Sequence, residues 1–350
     1  MINARSPYIV AIDEVGQTTT KVEIFLFNGF GSTFPTTPQY TLTKKIPSSN
    51  VTLCTYNLSP YIQEYISHSE FQNNTSLTSE VPTLTGHYCN VKIKTYYNNT
   101  LIGTTITKAS NGYSYYSQGY NYDNGRLMLD SGNYNYFYKS SNTYSTIPVG
   151  TITIDAEANY KAKYTDLVTA TTHTITLSTA GVYDIFRVKP SMWANGNKLE
   201  ILDASNAVLR TYYFRPQEEC KYTPVVIDFV NRYGFFQREF FYKASYNNFE
   251  VNNSEYNLMQ SDLVNYSITE GQRKVFNANG KETIRCNSGW VTEGYSSTIK
   301  EIMLSENILV NSKPANISTK QMELQTSLNN KNINYLLEFE FAYESINSVV

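Results

Sequence analysis

Glu338 and Glu340 stand two apart in the run Tyr335-Leu-Leu-Glu-Phe-Glu-Phe-Ala-Tyr343. In an extended strand that spacing puts both carboxylates on one face, about 6.5–7 Å apart. Paired carboxylates at such a distance can act as acid and base in glycoside cleavage. The alternation is equally that of a strand with one solvated face, and no neighbouring residue marks a cleft, so a solvated face is expected. The three histidines, His68, His87 and His173, are far apart and show no ligand spacing. Surface or strand positions are expected for them. Cys54, Cys89, Cys220 and Cys286 form no C-x-x-C pair. They read as free thiols packed as small hydrophobes rather than as a disulfide or metal set. Asn121-Tyr-Asp123-Asn-Gly125 opens like a calcium loop but lacks the later bidentate Glu, and a tight turn explains it better. Phosphate-loop, dinucleotide and nucleophile-elbow signatures are absent from the sequence. The expectation is a non-enzymatic chain with no catalytic residue, cofactor or metal.

The residues best suited to recognition lie in the Tyr/Asn/Ser/Gly tract from Gly112 to Tyr144: Tyr113, Tyr115, Tyr116, Tyr120, Tyr122, Tyr134, Tyr136 and Tyr138. Tyrosine offers a large rigid area with a polar tip, which suits protein interfaces and sugar stacking alike. The plainer alternative is a set of ordinary strands in which Tyr replaces Phe. A subunit contact is the favoured reading, ahead of that alternative and of a carbohydrate face.

The elements that must position these side chains are strands. The 350 residues include 31 Tyr and 17 Phe but only 2 Trp, with Thr, Ser and Asn between them and few helix-forming stretches. Aromatic and β-branched residues fit pleated, half-buried surfaces, and Asn and Ser favour turns. A formal net charge of -2, with 17% charged residues and no Lys/Arg run, argues against sequence-specific nucleic-acid binding. No segment is long and apolar enough for a membrane-spanning helix. Met1 to Pro7 lacks the features of a signal peptide, so a product made in a cytoplasm is expected.

Three segments follow from the patterning. Residues 1–146 read as a β-sandwich of immunoglobulin or fibronectin kind that includes the Tyr/Asn-rich tract. Its signals are a hairpin from Lys21–Phe27 to Tyr40–Lys45, a short helix opened by Ser59-Pro60, and a strand pair around an Asn98-Asn99 turn. Residues 147–252 read as a second such sandwich, closed by Pro224–Val230 and Gln237–Tyr242 joined through Arg232-Tyr233-Gly234. Residues 253–350 read as a β-rich module with one helix near 293–305, where Tyr295, Ile299, Ile302 and Met303 recur at helical spacing. An Asn279-Gly280 hairpin turn is expected between strands 273–277 and 281–286. The last strand, with Tyr335, Leu337, Phe339, Phe341 and Tyr343 on one face, carries the clearest period of two.

Several stretches are similar to virion proteins of phages that infect gut Bacteroidetes, the crAss-like phages among them. The first is Glu219-Cys-Lys-Tyr222-Thr-Pro224-Val-Val-Ile-Asp-Phe229-Val-Asn231-Arg-Tyr-Gly234-Phe-Phe-Gln237. The others are Gly289-Trp290-Val-Thr-Glu293, Ile302-Met-Leu-Ser305, Asn332 to Tyr343, and the opening hairpin with Thr33-Phe-Pro35-Thr-Thr-Pro38-Gln-Tyr40-Thr-Leu-Thr43. The resemblance touches all three segments but leaves 70–150 uncovered, and it carries no catalytic residue. It implies a tail or collar protein of the virion, present in many copies assembled as a ring, with tail, collar and portal-proximal proteins as neighbours. The third segment then resembles a tail-tube or adaptor-like module. A tail fibre or receptor-binding protein recognising a host glycan is the alternative, although fibre repeats and a triple coiled coil are missing from the sequence.

Overall fold

The alternation of Val22, Ile24 and Leu26 becomes the inward face of an interior strand in the first of three strand groups. The computed structural model describes residues 1–28, 33–47, 52–67, 87–122, 134–139, 152–177, 184–188, 193–219, 221–258, 269, 271–323 and 333–346. The first group comprises β1 (Ile2–Asn3), β2 (Ile9–Asp13), β3 (Thr19–Phe27), β4 (Tyr40–Lys45), β5 (Leu53–Asn57), α1 (Ser59–Tyr65), β6 (Tyr88–Tyr97) and β7 (Thr100–Ser110). One sheet runs β1-β7-β6-β3-β4, and β2 pairs with β5 as a separate two-stranded layer. Val22, Ile24, Leu26, Val91 and Ile93 from the larger sheet bury against Ile12, Cys54, Tyr56, Leu58 and Ile62. Asn98 and Asn99 both hold positive φ, 41° and 66°, the backbone a tight two-residue hairpin requires. Pro60 lies in the first turn of α1, but Ser59 does not cap the helix. Its hydroxyl accepts from the Tyr8 N–H at 2.8 Å and donates to the Ser6 carbonyl, tying α1 to the chain's first residues.

The second group comprises β8 (Tyr134–Lys139), β9 (Ile152–Ala156), β10 (Lys161–Asp166), β11 (Thr172–Thr176), β12 (Asp184–Val188), β13 (Asn197–Leu202) and β14 (Val208–Glu218). A sheet runs β11-β10-β13-β14-β8, and β12 pairs with β9. Their shared core includes Tyr164, Leu199, Ile201, Tyr212, Ile154 and Val188. Strand β8 comes from the Tyr-rich tract, yet it pairs in parallel with β14 rather than with any strand of the first group. The Asp203-Ala-Ser-Asn206 segment makes the turn between β13 and β14. Asp203 Oδ1 accepts from the Ser205 and Ala207 N–H groups, each at 2.8 Å.

The third group comprises β15 (Val225–Val230), β16 (Phe236–Phe241), β17 (Tyr246–Asn257), β18 (Arg273–Asn287), α2 (Ser296–Met303), β19 (Ile308–Val310), β20 (Lys313–Ile317) and β21 (Leu336–Phe341). Together the strands make one sheet in the order β16-β15-β19-β20-β21-β18-β17. Ile299 and Ile302 of α2 pack onto it beside Leu337 and Phe339 of β21, as their spacing foretells.

Two expectations are corrected here. The Asn279-Gly280 dipeptide is not a turn: residues 273–287 form one continuous strand paired along its length with β17. The positive φ falls instead on Asn277, at 50°, beside a register shift opposite Asn252–Ser254. Gly280 lies under the Phe249 ring, so close that a Cβ there would meet the ring at 2.2 Å. The β15–β16 pair does form, with its turn at Asn231–Gly234, but it joins the third sheet through β19 instead of closing the second group. Both of its faces are covered. Val225, Ile227 and Phe229 enter the third core, whereas Val226, Phe240 and Tyr242 pack into the second. A strand buried on both faces loses the alternating pattern, which is why Val-Val-Ile-Asp-Phe-Val reads as a continuous apolar run. Tyr88, Ile185 and Phe235, one from each group, form a further buried cluster.

Candidate interaction site

The segment after β7 is fixed against the β15–β16 turn. The Tyr113 N–H donates to the Arg232 carbonyl at 2.8 Å, and Ser110 Oγ donates to the Tyr233 carbonyl at 2.7 Å. A Cβ on Gly112 would come within 2.7 Å of the Arg232 carbonyl oxygen. Tyr113 is buried beneath the Arg5 guanidinium, 5.0 Å from its ring centre, and meets Tyr115 edge-on at 5.6 Å. Burial pushes the Tyr113 hydroxyl well above the ordinary phenol range, helped by the nearby Tyr115 and Glu301. Arg5 also donates to the Leu304 carbonyl and pairs with Glu306 at 3.0 Å, which anchors the same corner to the end of α2.

Beyond Tyr115 the chain leaves the core but remains ordered by amide bonds. Asn121 accepts from the Asn3 N–H at 3.0 Å and donates to the Asn3 carbonyl at 3.0 Å. Asn3 Nδ2 donates to Ser114 Oγ and to the Tyr122 carbonyl, and a 3-10 turn at Tyr116–Gln118 lies between. Tyr116, Tyr120 and Tyr122 project into solvent from this fixed loop. The other half of the tract lies elsewhere. Tyr136 is exposed on β8, Tyr138 packs on the second core beside the buried Phe137, and Tyr134 contributes backbone pairing to Tyr213. The structure thus brings Tyr113, Tyr115, Tyr116, Tyr120 and Tyr122 into one loop and places Tyr134, Tyr136 and Tyr138 on a strand of another group.

A larger exposed feature escaped the sequence reading. Every residue of β17 is exposed, as is β18 from Arg273 to Ala278. Strand β21 pairs only with Thr283–Asn287 of β18, so the remainder of β17 and β18 forms a two-stranded ribbon at the sheet edge. It carries Phe249, Val251, Tyr256, Val275 and Phe276 in solvent, with Tyr256 edge-on to Phe276 at 5.5 Å. The Phe249-Glu-Val251 alternation was the available signal, diluted by the Asn and Ser residues around it.

The residues considered for chemistry do not converge. Glu340 pairs with Lys281 at 2.9 Å, and the Glu338 N–H is bound by Thr319 Oγ1, so each belongs to the sheet's outer face. His87 packs edge-on to Phe236 and His173 against Tyr164, while His68, Cys220 and Asp123 lie outside the described residues. Cys54, Cys89 and Cys286 are buried free thiols, and burial pushes Cys89 and Cys286 up to about 12, far from a reactive thiolate. The carboxyls held low are structural. Asp166 and Asp203 accept turn N–H and hydroxyl bonds, Glu219 accepts from the Lys221 N–H, and Glu23 accepts from Lys21 and Tyr96. Among the described residues there is no cluster of three or more His, Cys, Asp or Glu able to hold a metal. A cleft of about 440 Å³ is lined by Thr223, Pro224, Arg238, Asn247, Asn311 and Ser312. Its one charged group, Arg238, is already committed to Asp228 through bonds of 2.7 and 2.8 Å. No family model and no curated protein matches the chain.

Proposed function

We propose that this chain is a non-enzymatic structural component of a phage virion, a tail or collar ring or hub protein that acts through protein–protein assembly. The observation that carries the assembly reading is the exposed β17–β18 ribbon, whose long outer edge pairs with no other strand among the described residues and whose large apolar side chains are exposed. Monomeric β proteins blunt such edges, so a partner is the physical expectation. The phage setting rests on the resemblance of the 219–237 run, the opening hairpin and the C-terminal strand to virion proteins. In this reading the first two groups are immunoglobulin- or fibronectin-like sandwiches and the third is the tail-tube or adaptor-like module. The protein is made in the host bacterial cytoplasm and ends in the particle, with other tail, collar and portal-proximal proteins as neighbours. It has no cofactor, no sequence-specific nucleic-acid site and no membrane span.

Cryo-electron microscopy of phage particles tests this proposal. Density for the chain in a symmetric ring on the tail axis or collar supports it, and absence of the protein from purified particles overturns it. The receptor-binding alternative draws support from Tyr116, Tyr120 and Tyr122, aromatic platforms on a rigid loop. Glycan-array binding lost in Tyr120→Ala or Tyr122→Ala, with a peripheral position on the particle, would favour that alternative.

A further inference from the structure

Three features outside the described chemistry invite a partner: the Tyr116–Tyr122 loop, the cleft beside Arg238, and the free strand edges. The loop says little about what covers it, and the cleft's cation is already paired. The strand edges carry more, because their charges choose among occupants.

Strands β17 and β4 are both edges of their sheets. Strand β17 reads Tyr-Asn-Asn-Phe-Glu-Val-Asn-Asn-Ser-Glu-Tyr-Asn, with Glu250 and Glu255 as its only charges. Strand β4 reads Tyr-Thr-Leu-Thr-Lys-Lys, with Lys44 and Lys45 as its only charges; both are exposed, and Lys44 also donates to the Thr55 carbonyl over the Tyr56 ring. Lys92 and Lys94 also stand on the outer face of its sheet, over the Phe25 ring, with Lys21 beside them paired to Glu23 at 2.8 Å. Strand β18, next to β17, carries Arg273, Lys274 and Lys281, so the contrast in charge lies in the two edge strands themselves. The other edges of the three larger sheets offer less. Strand β1 has two residues, β11 contains no Lys, Arg, Asp or Glu, β8 has Lys139 as its single charged residue, and β16 is packed against the second core. Pairing β17 with β17 of a second copy would gather four carboxylates, and pairing β4 with β4 would gather four ammonium groups. Like charges across paired strands are destabilising, and opposite charges are favourable.

We propose that copies of this chain associate head to tail by strand addition, the β17 edge of one copy pairing with the β4 edge of the next. Backbone N–H and carbonyl groups supply the pairing, while the Glu250/Glu255 and Lys44/Lys45 sets fix the partner and direction. Phe249 and Val251 lie on the same strand and become covered as the edges meet. Because the two surfaces differ, each copy keeps one free edge of each kind, and the contact closes into a ring or grows as a filament. This deepens the assembly reading and rests on it only in requiring that copies meet; detection of the chain in phage particles tests the virion setting separately.

The experiment is sedimentation velocity of the full chain across a concentration series, at low and high salt. Association that weakens with salt is expected for wild type. A double variant Glu250→Lys/Glu255→Lys, and separately Lys44→Glu/Lys45→Glu, should each raise the apparent dissociation constant by about tenfold or more. Mixing the two variants should restore association, since each then presents an edge complementary to the other. That recovery also shows that both variants are folded. A wild type that stays monomeric up to millimolar concentration overturns the proposal. So does association that survives in both variants, or a mixture that fails to associate while both variants retain wild-type circular dichroism.

Discussion

Asp228 and Arg238 face each other across β15 and β16 with almost no access to solvent. Burial outweighs the guanidinium and raises the Asp228 carboxyl above the ordinary range. A carboxyl whose folded value lies above its unfolded value contributes stability that is fully present below the unfolded value and lost as pH rises through the folded one. Glu23 has the opposite sign. Its bond from Lys21, with a further one from Tyr96, outweighs desolvation, so its contribution is present above the ordinary carboxylate range and fades as pH falls through the lowered value. Acid lability therefore belongs to Glu23 and the turn carboxyls rather than to the buried pair. The pair matters through its geometry, because removing one member strands a charge between two cores. Asp228→Asn is expected to cost about 3–5 kcal/mol in denaturant unfolding, and Asp228→Leu combined with Arg238→Met should recover most of that loss. A double variant no more stable than Asp228→Asn would show that the pair's hydrogen bonds, not its stranded charge, set the cost.

At the scale of elements, what the sequence disclosed depended on how local the cause is. The β3–β4 hairpin, the Asn98-Asn99 turn, α2 and β21 were legible because period and turn chemistry reside in neighbouring residues. Asn279-Gly280 misled for the same reason. Asn-Gly is a strong local turn signal, but the glycine here serves a cross-strand need, leaving room for the Phe249 ring. The ring in turn covers a position with no side chain of its own. Phe249→Ala and Gly280→Val should each destabilise the ribbon by about 1 kcal/mol. They should not add, because either change alone already separates ring from glycine. Hydrogen exchange at the amides of 246–257 measures this, and full additivity would mean that the ring–glycine contact contributes nothing. The Tyr tract stood out along the sequence only by composition. Its division between an anchored loop and β8 depends on the pairing of β8 with β14, between residues more than seventy positions apart.

At the scale of the molecule, the three strand groups share walls instead of hanging on linkers. Strands β15 and β16 present one face to each of two cores, and their turn nests on residues 111–113 of the first group. Lys108 reaches Asp155 at 2.6 Å, and the Tyr88, Ile185 and Phe235 cluster closes the remaining gap. None of this was readable along the chain, because local patterns report which face is apolar and not which distant face covers it. The contact at the turn is close enough to be tested by one atom. Gly234 has φ 86°, and a Cβ there would lie 2.6 Å from the backbone nitrogens of Asn111 and Gly112. Both neighbours are backbone, and the Gly112 carbonyl is further held by the Arg5 N–H, so neither can yield as a side-chain tip would. Gly234→Ala should therefore cost more than about 1 kcal/mol, the strain of a left-handed conformation adding to the clash. Shared walls make calorimetric unfolding of the wild type a single transition, since no core keeps its cover once another opens. The variant should split that transition, with the first group melting earlier and the second and third still coupled through β15 and β16. Two separated transitions in the wild type would mean that the shared strands do not couple the cores, and that the groups move as independent arms in any assembly they form.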